Sequence, residues 1–200
     1  MPRARIFLLS PAHCGGKRAG YLLDDRARFP LAQRIREEGI TLGEAFSFLS
    51  GLYFRGKLAY ATRFARPAGR ADGVQVITAN RGLLPVATRI GVNDLRGFGG
   101  VDIHQDDPHY RAPLERDLER LAGEAPEIVL LGSIATAKYV DVLTGALGER
   151  LLFPADFVGR GDMSRGALLL RASREGRELD YIPVAGAVRS SARRRTRAKS

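Results

Sequence analysis

The stretch Arg5-Ile-Phe-Leu-Leu-Ser-Pro-Ala-His-Cys-Gly-Gly-Lys-Arg18 decides the fold. Ile6 to Leu9 is an unbroken apolar run without alternation, the pattern of a strand covered on both faces, and Ser10 and Pro11 end it. A buried strand running into a small-residue turn opens a parallel α/β sheet, and such sheets bind ligands outside the carboxyl ends of their strands. His13, Cys14, Gly15 and Gly16 then stand at the binding edge. Gly15 and Gly16 let main-chain N–H groups approach an anion, and Lys17 and Arg18 add positive charge beside them. The loop fits neither glycine-rich nucleotide pattern, so phosphate, carboxylate and base edge are all candidate ligands.

Working outward, further apolar runs predict strands at Val74 to Ala79, Ile128 to Leu131 and Leu151 to Phe153. A last strand within Leu179 to Val184 is an edge strand, because Pro183 cannot donate to a central ladder. Helices are expected at Ala19 to Leu23, Leu31 to Glu38, Pro108 to Ala122, Thr136 to Leu147 and Met163 to Ser173. Thr41 and Glu44 form a capping box that opens Leu42 to Phe64, read as two helices or one kinked helix packed against the sheet. Gly56 there implies close approach, since glycine costs about 1 kcal/mol in a helix interior. Residues 83–107 show no periodicity and read as a long loop, functional or mobile. Alternation of this kind gives an α/β fold: a three-layer sandwich with a mainly parallel four- to five-stranded sheet and helices on both faces. Residues 1–187 are read as one domain and 188–200 as a basic, disordered tail.

Composition narrows the partners. The chain has 200 residues, 44% of them hydrophobic, and a net charge of +10. Six of the excess charges, Arg189, Arg193, Arg194, Arg195, Arg197 and Lys199, fall in the last twelve residues with no acid among them. A tail of this kind attracts polyanions or serves only as a solvated terminus. Cys14 is the single cysteine, which excludes an internal disulfide framework. No signal peptide and no run of about 20 apolar residues is found, so the expectation is a cytoplasmic protein without a membrane partner. No metal and no cofactor are expected.

In a parallel sheet the strand ends share one rim. Ser10, His13 and Cys14 come from the first strand, Asn80 and Arg81 from the second, Gly132, Ser133 and Lys138 from the third, and Asp156, Arg160 and Asp162 from the fourth. Cys14 is read as structural rather than nucleophilic, because adjacent side chains on extended backbone diverge and His13 is poorly placed as its base. His104 and His109, near Asp106 and Asp107, fit no standard metal spacing and read as a hydrated loop. Tyr53 and Lys57 have the Tyr-x-x-x-Lys spacing of short-chain dehydrogenases, but the glycine fingerprint of those enzymes is missing. Both are read as helix-face residues, with Tyr53 a candidate pocket lining. Around Arg160, Asp156 and Asp162 are candidates either for acid–base chemistry or for a salt bridge that braces the loop.

Together these stations resemble a group of bacterial α/β domains similar in layout to the uracil-DNA glycosylase-like fold. The matching residues are Cys14 and Lys17; Leu52, Tyr53 and Phe54; Gly82, Leu83 and Pro85; Gly132 and Tyr139; and Pro154 with Gly159 and Gly161. The resemblance implies a site at the strand ends and a nucleobase in DNA or RNA as substrate. The first loop carries no carboxylate and the last no histidine, so Asp156 or Asp162 is expected to replace the usual water-activating group.

Three functions follow as expectations. The first is recognition of a nucleobase or nucleotide within nucleic acid, DNA before RNA, with base excision or modification as the reaction. Lys17, Arg18 and Arg81 would hold phosphate, Asn80 and Ser133 would read the base, and Asp156 would act as acid or base. Tyr53, Phe54 or Phe157 would stack on an extruded base. The second is a non-enzymatic nucleic-acid-binding protein that relies on its tail. The third is a small-metabolite enzyme of Rossmann-like type.

Overall fold

The computed structural model describes residues 3–69, 72–104, 106–124, 127–134 and 137–185. The tail at 188–200 and Thr136 therefore lie outside the described residues.

Strand β1 (Arg5–Leu9) lies inside a six-stranded sheet. It pairs in parallel with β3 (Val74–Ile77) on one side and β6 (Glu127–Leu131) on the other, with Phe7 opposite both Val74 and Val129. Strand β7 (Leu151–Pro154) continues the parallel set beyond β6. Ile6, Phe7, Leu8 and Leu9 are all fully buried, and successive side chains point to opposite faces, so both faces of β1 are covered. Each such side chain contributes roughly 1.5–3 kcal/mol by leaving water.

The sheet has six strands rather than four to five because each edge carries an antiparallel strand. One is β8 (Tyr181–Pro183), paired with β7 where an edge strand is expected. The other, β4 (Leu83–Pro85), lies in the stretch read as loop and folds back on β3. The turn between β3 and β4 is built by three residues. The Thr78 hydroxyl donates to the Gly82 carbonyl at 2.9 Å, Gly82 has φ of +65°, and the buried Asp117 carboxylate accepts the Leu83 N–H at 2.9 Å. A side chain at Gly82 would collide with that carboxylate. Residues 83–107 also hold β5 (Arg89–Ile90), which pairs with β2 (Ile40–Thr41), and helix α5 (Val92–Gly99).

The capping box at Thr41 and Glu44 is present, and Gly51 divides the following stretch into α3 (Leu42–Ser50) and α4 (Leu52–Phe64). Tyr53, Lys57, Tyr60 and Ala61 form the buried stripe of α4 at helical spacing. The close approach implied by Gly56 is made to another helix, α8 (Asp162–Glu175), rather than to the sheet. A Cβ on Gly56 would come within 2.6 Å of the Gly166 carbonyl oxygen, and one on Gly166 within 2.9 Å of the Tyr53 Cα. This crossing sets the amino end of α8 beside Tyr53 and Lys57. Helices α6 (Pro108–Glu124) and α7 (Ala137–Leu147) form a second packed pair. The remaining helices are α1 (Lys17–Leu23) and α2 (Pro30–Glu37).

At the amino end of β1, Arg5 pairs with Glu127 and Glu178, and Arg66 with Glu178. These ion pairs lie at the opposite end of the strand from Ser10. No helix among the described residues is long and apolar enough to cross a membrane.

Candidate active site

Ser10 ends β1 with its main-chain N–H bonded to the Leu131 carbonyl, which places it against the end of β6. Next to it, Gly132 is packed too tightly for any side chain: a Cβ there would lie 2.8 Å from the Ser10 Cβ and 2.9 Å from the Tyr139 hydroxyl. The ends of β1 and β6 and the side chain of Tyr139 from α7 (Ala137–Leu147) thus meet at Ser10. The Tyr139 hydroxyl donates to the Ser133 carbonyl at 2.8 Å, and burial raises its pKa.

A cleft of about 420 Å³ opens at this point, within the size range of small-molecule sites. Ser10, His13, Ser133 and Asp162 line it, so four of the residues expected at the rim do meet, and Tyr53, the candidate pocket lining, joins them. Lys57 and Tyr139 complete its polar wall, and Ile103 its apolar one. A smaller adjoining cavity of about 160 Å³ shares Pro11 to His13 and Ile103 with the cleft and is lined further by Cys14, Gly15 and Asp102. A shallow third depression of about 410 Å³ around Tyr21, Phe29 and Phe48 lies elsewhere and is almost wholly apolar.

Lys57 is the most deeply buried charged side chain of the cleft wall. Only 1% of it is exposed, and Nζ lies 2.7 Å from the Ser10 carbonyl oxygen and 2.8 Å from Ser10 Oγ. The ammonium sits over the rings of Tyr53 and Phe54, 4.6 and 4.9 Å from their centroids. Burial pushes its pKa down to about 7, and the Asp162 carboxylate pulls in the opposite direction. The dehydrogenase geometry is absent, since Lys57 meets the Tyr53 ring and not its hydroxyl. That hydroxyl is buried without a hydrogen bond of ordinary geometry among the described residues. Burial raises the Tyr53 pKa, and the charge of Arg165 partly offsets the rise.

Other rim residues are placed differently from the expectation. Asp156 is exposed on a 3-10 turn over Ala155–Phe157 and does not line the cleft, because that turn carries its carboxylate into solvent. Arg160 donates to the Asp156 main-chain carbonyl and to the Ser164 hydroxyl, so it braces the loop through backbone and hydroxyl and pairs with neither carboxylate. Asp162 instead pairs loosely with Arg165 at 3.6 Å, its side chain 66% exposed. Asn80 is drawn away by the Gly97 carbonyl and Arg81 by the Asp94 carboxylate at 2.8 Å. Arg18 donates to the Phe48 carbonyl, and Lys17 lies exposed in α1; neither reaches the cleft. Gly15 and Gly16 make room for the His13 ring, which would come within 3.5 and 3.1 Å of a Cβ at each. The side chain of Lys138 lies outside the described residues.

Cys14 is buried with its thiol directed at the Ala12 carbonyl, and burial raises its pKa to about 12. Burial of this kind is the reverse of the exposed, electropositive setting that activates a thiol. His104 and His109 each contact a neighbouring aspartate, at 3.6 and 3.2 Å, in exposed positions. Among the described residues no group of three or more His, Cys, Asp and Glu could hold a metal ion.

Sequence reading missed Lys57 and Ile103 as lining, and it named Tyr139 only through the family resemblance. The signal for Lys57 was present: a lysine on the apolar stripe of an amphipathic helix is buried, and a buried lysine is seldom idle. Ile103 had no such signal, since a loop residue carries no period. No family model, curated protein or solved structure matches the chain.

Proposed function

We propose that the cleft at the end of β1 binds a nucleobase or nucleotide, carried in a nucleic acid that the basic carboxyl-terminal residues hold, with base excision or modification as the reaction. The observation that carries this reading is the mixed wall of the cleft. The rings of Tyr53 and Tyr139, donors and acceptors from Ser10 and Lys57, and the Asp162 carboxylate surround a space large enough to admit a base. An aromatic face stacks on any base, and the polar groups select its edge. Asp162 takes the acid–base role in place of Asp156. The same reading includes the three-layer arrangement, with the α4–α8 and α6–α7 pairs covering opposite faces of the sheet, and an intracellular protein.

The test is direct. The full chain is titrated with fluorescent single- and double-stranded oligonucleotides at low salt, then incubated with strands containing uracil and other altered bases and probed for abasic sites. Binding that weakens with salt, together with base release that Asp162→Asn abolishes, is the expected outcome. Absence of affinity for DNA and RNA at low salt would overturn it. A second reading, an enzyme acting on a small metabolite, is favoured by one observation: Lys17, Arg18, Arg81 and Arg160, the cations suited to phosphate, all lie outside the cleft lining.

A further inference from the structure

The hydrogen bonds of Lys57 are unusual for a lysine that only ties a helix to a sheet. Its two hydrogen-bond partners, both oxygens of Ser10, are neutral, aromatic rings flank it, and the Asp162 carboxylate acts on it through its charge without a hydrogen bond. An ammonium buried without a carboxylate partner is costly, and an apolar or hydroxyl side chain would join α4 to β1 without that cost. A neutral amine fits the same contacts well. One N–H donates to the Ser10 carbonyl, and the lone pair receives the Ser10 O–H. Ser10, 7% exposed, lines the cleft, so the serine that Lys57 holds is one that a small ligand approaches.

We propose that Ser10 and Lys57 are a nucleophile and its base, and that the cleft carries out acyl transfer on an ester or amide small enough to enter it. Ser10 Oγ attacks the carbonyl carbon and passes its proton to Lys57 Nζ. The bond to the leaving alcohol or amine then breaks, and Lys57 returns the proton to that group. Water, deprotonated by the same amine, attacks the acyl-serine; Lys57 gives the proton back to Ser10 Oγ as the acid departs. The charged and titratable groups around Lys57 are Tyr53 on its own helix, Asp162 from α8 and Ser10 from β1, with the Tyr139 hydroxyl from α7 against Ser10. With its amine titrating near pH 7, Lys57 is free to accept a proton at neutral pH. This activity does not depend on the occupant being a nucleotide.

An alkyl fluorophosphonate tests it, since Ser10 Oγ would form a bond to phosphorus, fluoride would leave, and the proton would stay on Lys57. The expected result is one adduct per chain, mapped to Ser10 by peptide mass, with a labelling rate that falls as pH drops through about 7. Ser10→Ala should lose the adduct. Lys57→Arg, which keeps charge and donors but cannot act as a base, should label at least about 100-fold more slowly. No adduct at Ser10 in the wild-type chain, or a rate flat across neutral pH, would overturn the proposal, as would Lys57→Arg labelling at the wild-type rate. Should that variant fail to fold, the pH profile of the wild-type adduct decides. Labelling without oligonucleotide binding would leave this inference standing and remove the nucleic-acid reading; binding without labelling would do the reverse.

Discussion

Lys57 couples the cleft to the stability of the whole chain. In the unfolded chain a lysine titrates near about 10.4, whereas in the fold its amine titrates near 7. Between those values the unfolded state binds the extra proton, so stability rises as pH climbs from about 7 towards about 10 and is lowest below 7. The effect is on the order of a few kcal/mol. Lys57→Met should abolish this rise, measured as the difference between wild-type and variant urea midpoints across that range. Taking the difference removes the contribution of Cys14, whose raised pKa acts with the opposite sign in alkali. Tyr53 supplies a second test. Its buried hydroxyl has no ordinary hydrogen bond, so Tyr53→Phe should raise stability by about 1–3 kcal/mol while lowering affinity for whatever enters the cleft. A variant that melts lower than the wild type would show that the hydroxyl is already paired.

Among the elements, the crossing of α4 and α8 does most to place the site. Gly56 and Gly166 face each other with no room for a methyl group, and the contact fixes Asp162 opposite Lys57. Gly56→Ala should therefore destabilise by roughly 1–3 kcal/mol, as overpacking does, although alanine is the better helix former. Chemical denaturation measures this, and a gain in stability would mean that the helices separate freely. Tyr60 ties α4 to β8 and to the segment before it, accepting the Leu179 N–H and bonding the Tyr181 hydroxyl, both at 2.7 Å. Tyr60→Phe leaves that buried N–H without an acceptor and should cost about 1–3 kcal/mol in the same assay. The helices and the parallel strands were legible in the sequence because burial on one stripe or on both faces leaves a period or an unbroken run. Strand β4 was not, because Leu83 to Pro85 is too short to show a period and its turn depends on Asp117, which is distant in sequence.

For the molecule as a whole, the rim was legible and its membership only partly so. Parallel strands must end on one side, and Ser10, Ser133 and Asp162 do meet there. Local partners moved others: Asp94 holds Arg81, and the Gly97 carbonyl holds Asn80, contacts that no spacing rule announces. At the same scale, removing residues 189–200 deletes six positive charges. The shortened chain should bind oligonucleotides with a shallower dependence on salt and melt at an unchanged temperature, checked by anisotropy and calorimetry. Both outer strands of the sheet carry a proline, Pro85 on one flank and Pro183 on the other. Each removes a hydrogen-bond donor where a further strand would dock, so neighbouring copies cannot readily extend the ladder into fibres. Replacing both prolines by valine should therefore lower the protein concentration at which the chain aggregates, measured by light scattering.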